Sequence, residues 1–183
     1  MGDAFEAVMV AARADAPWAY ERLWGLLAPA VVGYLRLQGM PDPEDLTSEV
    51  FLGAFAGLAR FEGGEAALRS FVFAIARRRV VDERRRAARR PVVSGREVAE
   101  GDVMVARSAE DEGLARLGEE RVRRLCAGLG DDQRDVRLLR LVGGLTVVEV
   151  AGAVGKSVGA VKALQRRAVR ALAKVVESQG VPL

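Results

Sequence analysis

The 183-residue chain contains no histidine and a single cysteine, Cys126. Without imidazoles there is no histidine metal site, no Ser/His/Asp triad and no Cys/His dyad, which removes most hydrolytic chemistry. One thiol cannot close an internal disulfide, so a secreted disulfide scaffold is excluded. Cys126 falls on an apolar helical position and reads as a small core residue. Aromatic residues are scarce at 5%, Ile75 is the only isoleucine, and lysine occurs only at 156, 162 and 174, leaving arginine as the dominant cation. Long apolar runs are missing as well. Near the N-terminus the longest charge-free stretch, Leu23 to Leu35, contains Pro29 and falls short of the ~20 residues a membrane span needs. Met1 to Glu6 carries acids where a signal peptide needs positive charge. The expectation is a soluble, cytoplasmic chain without membrane insertion.

What is present favours a folded protein. Half of the residues are hydrophobic and the net charge is only +3, a balance unlike that of disordered chains. The length admits one mid-sized domain or two of ~90 residues each. Apolar spacing is helical almost throughout and no segment alternates with period two, so the fold class is all-α. Asp15 and Pro17 open a helix whose stripe runs through Leu23, Trp24, Leu27, Val31, Tyr34 and Leu35 to Gly39, bent or broken at Pro29. Asp42 as N-cap, Pro43 at the first position and Glu44 and Asp45 at the positive end of the dipole open the next helix, which carries Leu46, Val50, Phe51 and Phe55 inward. After Gly63 and Gly64 a further stripe, Leu68, Phe71, Val72 and Ile75, runs into an arginine-rich end before Pro91.

These elements form one helical unit, residues 1–92. Residues 93–115 lose periodicity and read as a flexible linker. A second unit, 116–183, begins with a helix to Ala127, a turn at Gly128 to Gly130, and a helix through Val136, Leu138, Leu139 and Leu141 that stops at Gly143 and Gly144. Two more helices close the chain. The small net charge hides a segregation: residues 77–90 hold eight arginines against Asp82 and Glu83, and residues 156–174 hold six cations and no acid. The segment between them is acidic, with Glu97, Glu100, Asp102, Glu110, Asp111 and Glu112. One basic run is ordinarily a solvated helix face. Two, each ending a separate helical unit, point to a polyanion partner.

Residues 145–167, LTVVEVAGAVGKSVGAVKALQRR, carry the most specific signal. Thr146 and Glu149 have the spacing of a capping box, Ala151 is small enough for a close helix crossing, and Gly155 suits the turn. Ser157 can cap the next helix, whose Val161 and Leu164 face the first. This is a helix-turn-helix pattern, the plain alternative being a helical hairpin. Its second helix presents Lys162, Gln165 and Arg166, side chains that reach base edges and phosphates in a major groove. Gly155-Lys156-Ser157 resembles the end of a phosphate-binding P-loop, but the first glycine position is Val150 and no strand precedes it.

The stretches PDPEDLTSEVFLGAF, LRSFVFAIARRRVVDERRR and LVGGLTVVEVAGAVGKSVGAVKALQRRA together resemble the extracytoplasmic-function (ECF) sigma factors of bacterial RNA polymerase. The resemblance covers nearly the whole chain, and its family plan is two helical domains, region 2 and region 4, joined by a linker. It implies an alternative sigma factor, without enzymatic activity, metal or cofactor, that directs promoter-specific initiation. On that plan Asp45, Leu46, Glu49, Val50 and Phe51 dock on core polymerase. Arg60, Phe61, Glu62, Gly63 and Gly64 form the loop that takes a base flipped from the opened minus-10 strand. Arg77, Arg78, Arg79, Arg84 and Arg85 hold promoter phosphates, and the helix from Ser157, with Lys162, Gln165, Arg166, Arg167 and Arg170, reads the double-stranded minus-35 element. The linker threads into the polymerase cleft, and an anti-sigma protein is an expected partner. Phe71 and Arg78 stand where the family very often has Trp and Asn.

Two other classes compete. A stand-alone helix-turn-helix regulator accounts for the C-terminal unit but leaves the arginine-rich helix and the 42–55 helix unused. A nucleic-acid enzyme would need clustered carboxylates, and Asp42, Glu44, Asp45 and Glu49 sit at a helix start, where they serve its dipole.

Overall fold

The computed structural model describes residues 2–89, 118 and 120–178, which form helices joined by short turns, with no strand among them. The N-terminal unit comprises α1 (Gly2–Arg13), α2 (Pro17–Leu37), α3 (Pro43–Gly57), a 3-10 turn (Leu58–Arg60) and α4 (Glu65–Arg89). The C-terminal unit comprises α5 (residues 120–127), α6 (Asp131–Leu141), α7 (Val147–Val154) and α8 (Val158–Ser178). The proposed linker, residues 93–115, lies outside the described residues.

Of the expected bend or break at Pro29, the break does not occur: helix α2 is continuous through it. Proline removes one i to i−4 hydrogen bond, but the buried stripe Ala19, Leu23, Leu27, Ala28, Val31, Tyr34 and Leu35 runs along both halves of the helix and holds both in the core. Its N-cap position is Ala16. Asp15 instead adopts a left-handed conformation, φ 56°, and its carboxylate accepts from Tyr20 Oη at 2.7 Å. Asp42 does stand at the N-cap of α3, yet its side chain makes no capping bond. The start of α3 is held by Pro43 and by an ion pair between Glu44 and Arg36 of α2.

Helix α1 went unrecognised in the sequence reading. It places Met9 and Ala12 in the core and Phe5, Val8 and Ala11 against it, and Arg13 Nη2 donates to the Phe61 carbonyl at 2.8 Å. In the C-terminal unit Cys126, Val136, Leu138 and Leu139 are buried as expected, whereas Leu141 is exposed. The two units do not stand apart. Helix α7 packs on α4 and α6 touches α2, so that one continuous apolar core runs from Met9 to Ala168.

Candidate nucleic-acid interface

The helix-turn-helix forms as its residues dictate. Thr146 N–H donates to Glu149 Oε2 at 2.6 Å, and Glu149 N–H donates to Thr146 Oγ1 at 3.3 Å, closing the capping box. The Thr146 backbone N–H, aided by the side chains of Thr146 and Ser70 and by the Arg140 charge, holds the Glu149 carboxyl below its ordinary value. Gly155 ends α7 at φ 64°, ψ 36°, a left-handed conformation that a side chain resists. Ser157 Oγ then accepts from Ala160 N–H at 3.2 Å and starts α8. Val161 and Leu164 turn inward and are buried, as are Val150, Ala151 and Val154 of α7, on which α8 packs.

That burial leaves Ser157, Val158, Gly159, Lys162, Arg166, Arg167 and Arg170 exposed and Gln165 half-buried. Gln165, Arg166, Val169 and Arg170 line one side of an open groove, and Arg137 of α6 lines the other. The sequence reading had not singled out Arg137. The arrangement offers a row of cations with small residues at the entering end, the shape and charge that a major groove accepts.

On the N-terminal unit, Arg60, Glu62, Gly63 and Gly64 are exposed and Phe61 is half-buried, its ring 5.6 Å from that of Phe71. Gly63 has φ 139°, and a Cβ there would lie 2.7 Å from Ala67 Cβ. No side chain fits at Gly63, so the exposed Gly63 and Gly64 leave bare backbone at the surface of the loop, whose carbonyl at Phe61 is pinned by Arg13.

The five arginines chosen on α4 do not share one face. Arg78 and Arg85, seven residues apart and thus two turns along one side, are exposed. Arg77 and Arg84 form the neighbouring stripe and point into the C-terminal unit. Arg77 Nε donates to Asp135 Oδ2 at 2.9 Å, and Arg84 Nη1 lies 3.4 Å from Asp135 Oδ1 and from Asp131 Oδ1. Arg79 pairs with Glu49 of α3 at 3.2 Å.

Helix α3 likewise divides the residues assigned to core polymerase. Asp45 and Glu49 are exposed, but Leu46, Val50 and Phe51 are 6%, 0% and 2% exposed. Those three build the core under the helix, with Phe51 against Trp24 at 4.6 Å, and do not reach its surface. The outer face instead adds Ser48 and Leu52, the latter 70% exposed. Helical periodicity on its own could have found Leu52, three residues beyond Glu49.

Among the described residues no group of acids and thiols could hold a metal ion, and no helix is long and apolar enough to cross a membrane.

Known proteins place both units. Residues 23–90 match the family described as Sigma-70 region 2, and residues 127–174 match Sigma-70, region 4. The chain is 34% identical over 160 residues to the ECF RNA polymerase sigma factor BldN of Streptomyces coelicolor, covering 86% of this chain and 60% of BldN. It is 33% identical over 139 residues to the ECF RNA polymerase sigma factor ShbA of Streptomyces griseus, covering 73% of this chain and 71% of ShbA. Its fold matches that of CnrH, solved in complex with the cytosolic domain of CnrY, with a TM-score of 0.71 over 96% of this chain and 98% of that one at 22% identity. A capped helix-turn-helix with a basic outer face, an arginine-striped helix ahead of it, and these matches in the same order together show that the chain belongs to the ECF family of RNA polymerase sigma factors.

Proposed function

We propose that the chain is an alternative sigma factor, a non-enzymatic cytoplasmic subunit that brings core RNA polymerase to particular promoters. The observation that carries this reading is the pairing of two separate basic surfaces, on α4 and α8, with an acidic and apolar face on α3 that precedes both in sequence. The outer face of α8 suits a duplex major groove: Lys162, Gln165 and Arg166 lie nearest its N-terminal end, where base edges come within reach, and Arg167 and Arg170 lie farther along, toward phosphates. The loop of Arg60, Phe61, Glu62, Gly63 and Gly64 suits an unstacked base, because bare backbone admits close approach and Phe61 offers an aromatic surface. Arg78 and Arg85 lie open to strand phosphates. Asp45, Ser48, Glu49 and Leu52 form the protein-binding face, carboxylates around one apolar anchor. The assigned units are 1–92, 93–115 and 116–183, and the acidic linker serves the polymerase cleft. An anti-sigma protein completes the proposed partners.

The test is run-off transcription on a promoter fragment by core polymerase with and without the chain, alongside a gel shift of the same fragment. Promoter-specific RNA that requires the chain, and specific binding that requires core enzyme, is the expected result. Tight, specific binding by the chain alone, with no effect on RNA synthesis, would establish a stand-alone regulator instead.

A further inference from the structure

Arg13, the last residue of α1, reaches across 48 residues of sequence to the loop assigned above to the opened minus-10 strand, its Nη2 donating to the Phe61 carbonyl at 2.8 Å. The point from which it reaches is fixed. Tyr20 Oη donates to the Ala12 carbonyl at 3.0 Å and to Asp15 Oδ1 at 2.7 Å, tying the end of α1 to α2, and the Tyr20 ring lies 4.7 Å from that of Phe55 on α3. Helix α1 also packs on the 3-10 turn that leads into the loop. The loop's aromatic side is set separately. The Phe61 N–H donates to the Leu58 carbonyl at 3.1 Å, and the Phe61 ring borders both Phe71, 5.6 Å away, and Gly63, where a Cβ would come within 3.4 Å of it. Gly57 admits the Phe71 ring in turn, since a Cβ there would lie 2.8 Å from it. Those contacts orient the rings, and Arg13 orients the peptide between Phe61 and Glu62. A hydrogen bond from a charged donor is stronger than a neutral one, and this one fixes the hinge between the ring and the exposed Glu62, Gly63 and Gly64.

We propose that Arg13 is a positioning residue for base capture: by fixing the Phe61 carbonyl it holds the loop, before DNA arrives, in the shape that receives an unstacked base. This rests on the sigma-factor reading for the identity of that base. Glycine has the widest choice of backbone conformations and loses the most entropy when ordered. A loop that ends in Gly63 and Gly64 therefore gains most from an anchor outside itself, and Gly63 at φ 139° already occupies one particular conformation. A loop ordered in the free protein loses less entropy when it binds. Arg13 touches neither base nor phosphate in this role and acts only through the Phe61 carbonyl. It precedes the region 2 segment, residues 23–90, so the loop takes part of its shape from outside that segment.

The experiment uses holoenzyme, core polymerase with the full chain, on a promoter whose minus-10 segment is pre-opened by mismatches. 2-Aminopurine placed at each minus-10 position in turn reports the captured base, because its fluorescence rises on leaving the stack. Wild type, Arg13→Ala, Arg13→Lys and Arg22→Ala, an exposed cation control on α2, are compared by this signal and by promoter affinity across salt concentrations. Arg13→Ala should lose the raised fluorescence at the captured base and about tenfold in affinity, the size of one charge-assisted hydrogen bond. Its salt slope should be unchanged. Arg13→Lys, which keeps a charged donor, should recover most of both losses, and Arg22→Ala should match the wild type. On a promoter with an abasic site at the captured position, wild type and Arg13→Ala should bind equally. Should the urea midpoint of Arg13→Ala fall, Arg13→Met, which keeps the aliphatic stem and drops the donor, decides in the same way. Full capture by the folded variant overturns the proposal. So does a salt slope reduced by about one unit, which would make Arg13 a phosphate contact, and so does an equal loss on the abasic promoter, which would make its role purely structural. Run-off transcription separates the two ideas. Chain-dependent RNA with no brightened minus-10 base, or with no loss in Arg13→Ala, removes only the positioning role, whereas the absence of chain-dependent RNA removes the sigma-factor reading and the proposal with it.

Discussion

Glu149 shows how one side chain ties local structure to pH. Its folded carboxyl titrates below the ordinary value of 4.5, first because the Thr146 N–H donates to it. A depressed carboxylate stabilises the fold above the unfolded value, and that contribution disappears as pH falls below about 4.5 through the folded value. Glu149→Gln should therefore lose urea stability relative to wild type at pH 6 and converge on it in acid; parallel curves at both pH values would show that the capping carboxylate carries no such linkage. Thr146→Ala should cost ~1 kcal/mol through the lost cap. Gly155→Ala should cost about 1 kcal/mol or more, because φ 64° is retained against a Cβ. Denaturant titrations of both variants measure these costs directly.

Helix α3 and helix α8 each expose a face that can be separated from the core beneath. On α3, Asp45→Arg, Glu49→Arg or Leu52→Ala should weaken binding to core polymerase with little change in urea midpoint. Leu46→Ala should do the reverse, losing ~2–5 kcal/mol of stability as a truncated core residue. Paired affinity and denaturation measurements on the four variants check this, and a Leu46 variant that loses only polymerase affinity would return that residue to the interface. On α8, replacing a residue in bidentate contact with a base, among Lys162, Gln165 and Arg166, should cost ~1–3 kcal/mol and relax preference at one base pair. Arg170→Ala and Lys174→Ala should weaken every promoter alike and reduce the salt slope by about one unit per lost phosphate contact. Binding of holoenzyme to a set of promoter variants across salt concentrations distinguishes the two groups.

Because one continuous apolar core joins the two units, they should unfold as one cooperative body. Trp18 and Trp24 report on the N-terminal unit, while Cys126, the buried thiol of the C-terminal unit, reports on α5. Burial pushes that thiol above its ordinary value, so it should react slowly until the unit opens. Tryptophan fluorescence and Cys126 labelling should follow one coincident urea transition in the wild type. In Asp135→Asn the two probes should separate, and two distinct wild-type transitions would show that the units are thermodynamically independent.

Much of this was legible along the chain because the determining interactions are local. The Thr146 and Glu149 capping box, the Gly155 turn, the Ser157 cap and the inward Val161 and Leu164 are all set within about two turns of a helix end, and each forms as the spacing implies. The all-α class follows from periodicity for the same reason. Local rules failed where distant packing competes. Pro29 did not break α2, because a single lost hydrogen bond is outweighed by a stripe buried from Ala19 to Leu35. Leu46, Val50 and Phe51 could not be assigned to both core and surface, and the neighbours of α3 decided for the core. The arginines of α4 are indistinguishable in sequence. Only the tertiary fold, by bringing Asp135 from 58 residues beyond Arg77, decided which of them face solvent and which are held, since a buried carboxylate needs its partners in space and leaves no periodic trace in the chain.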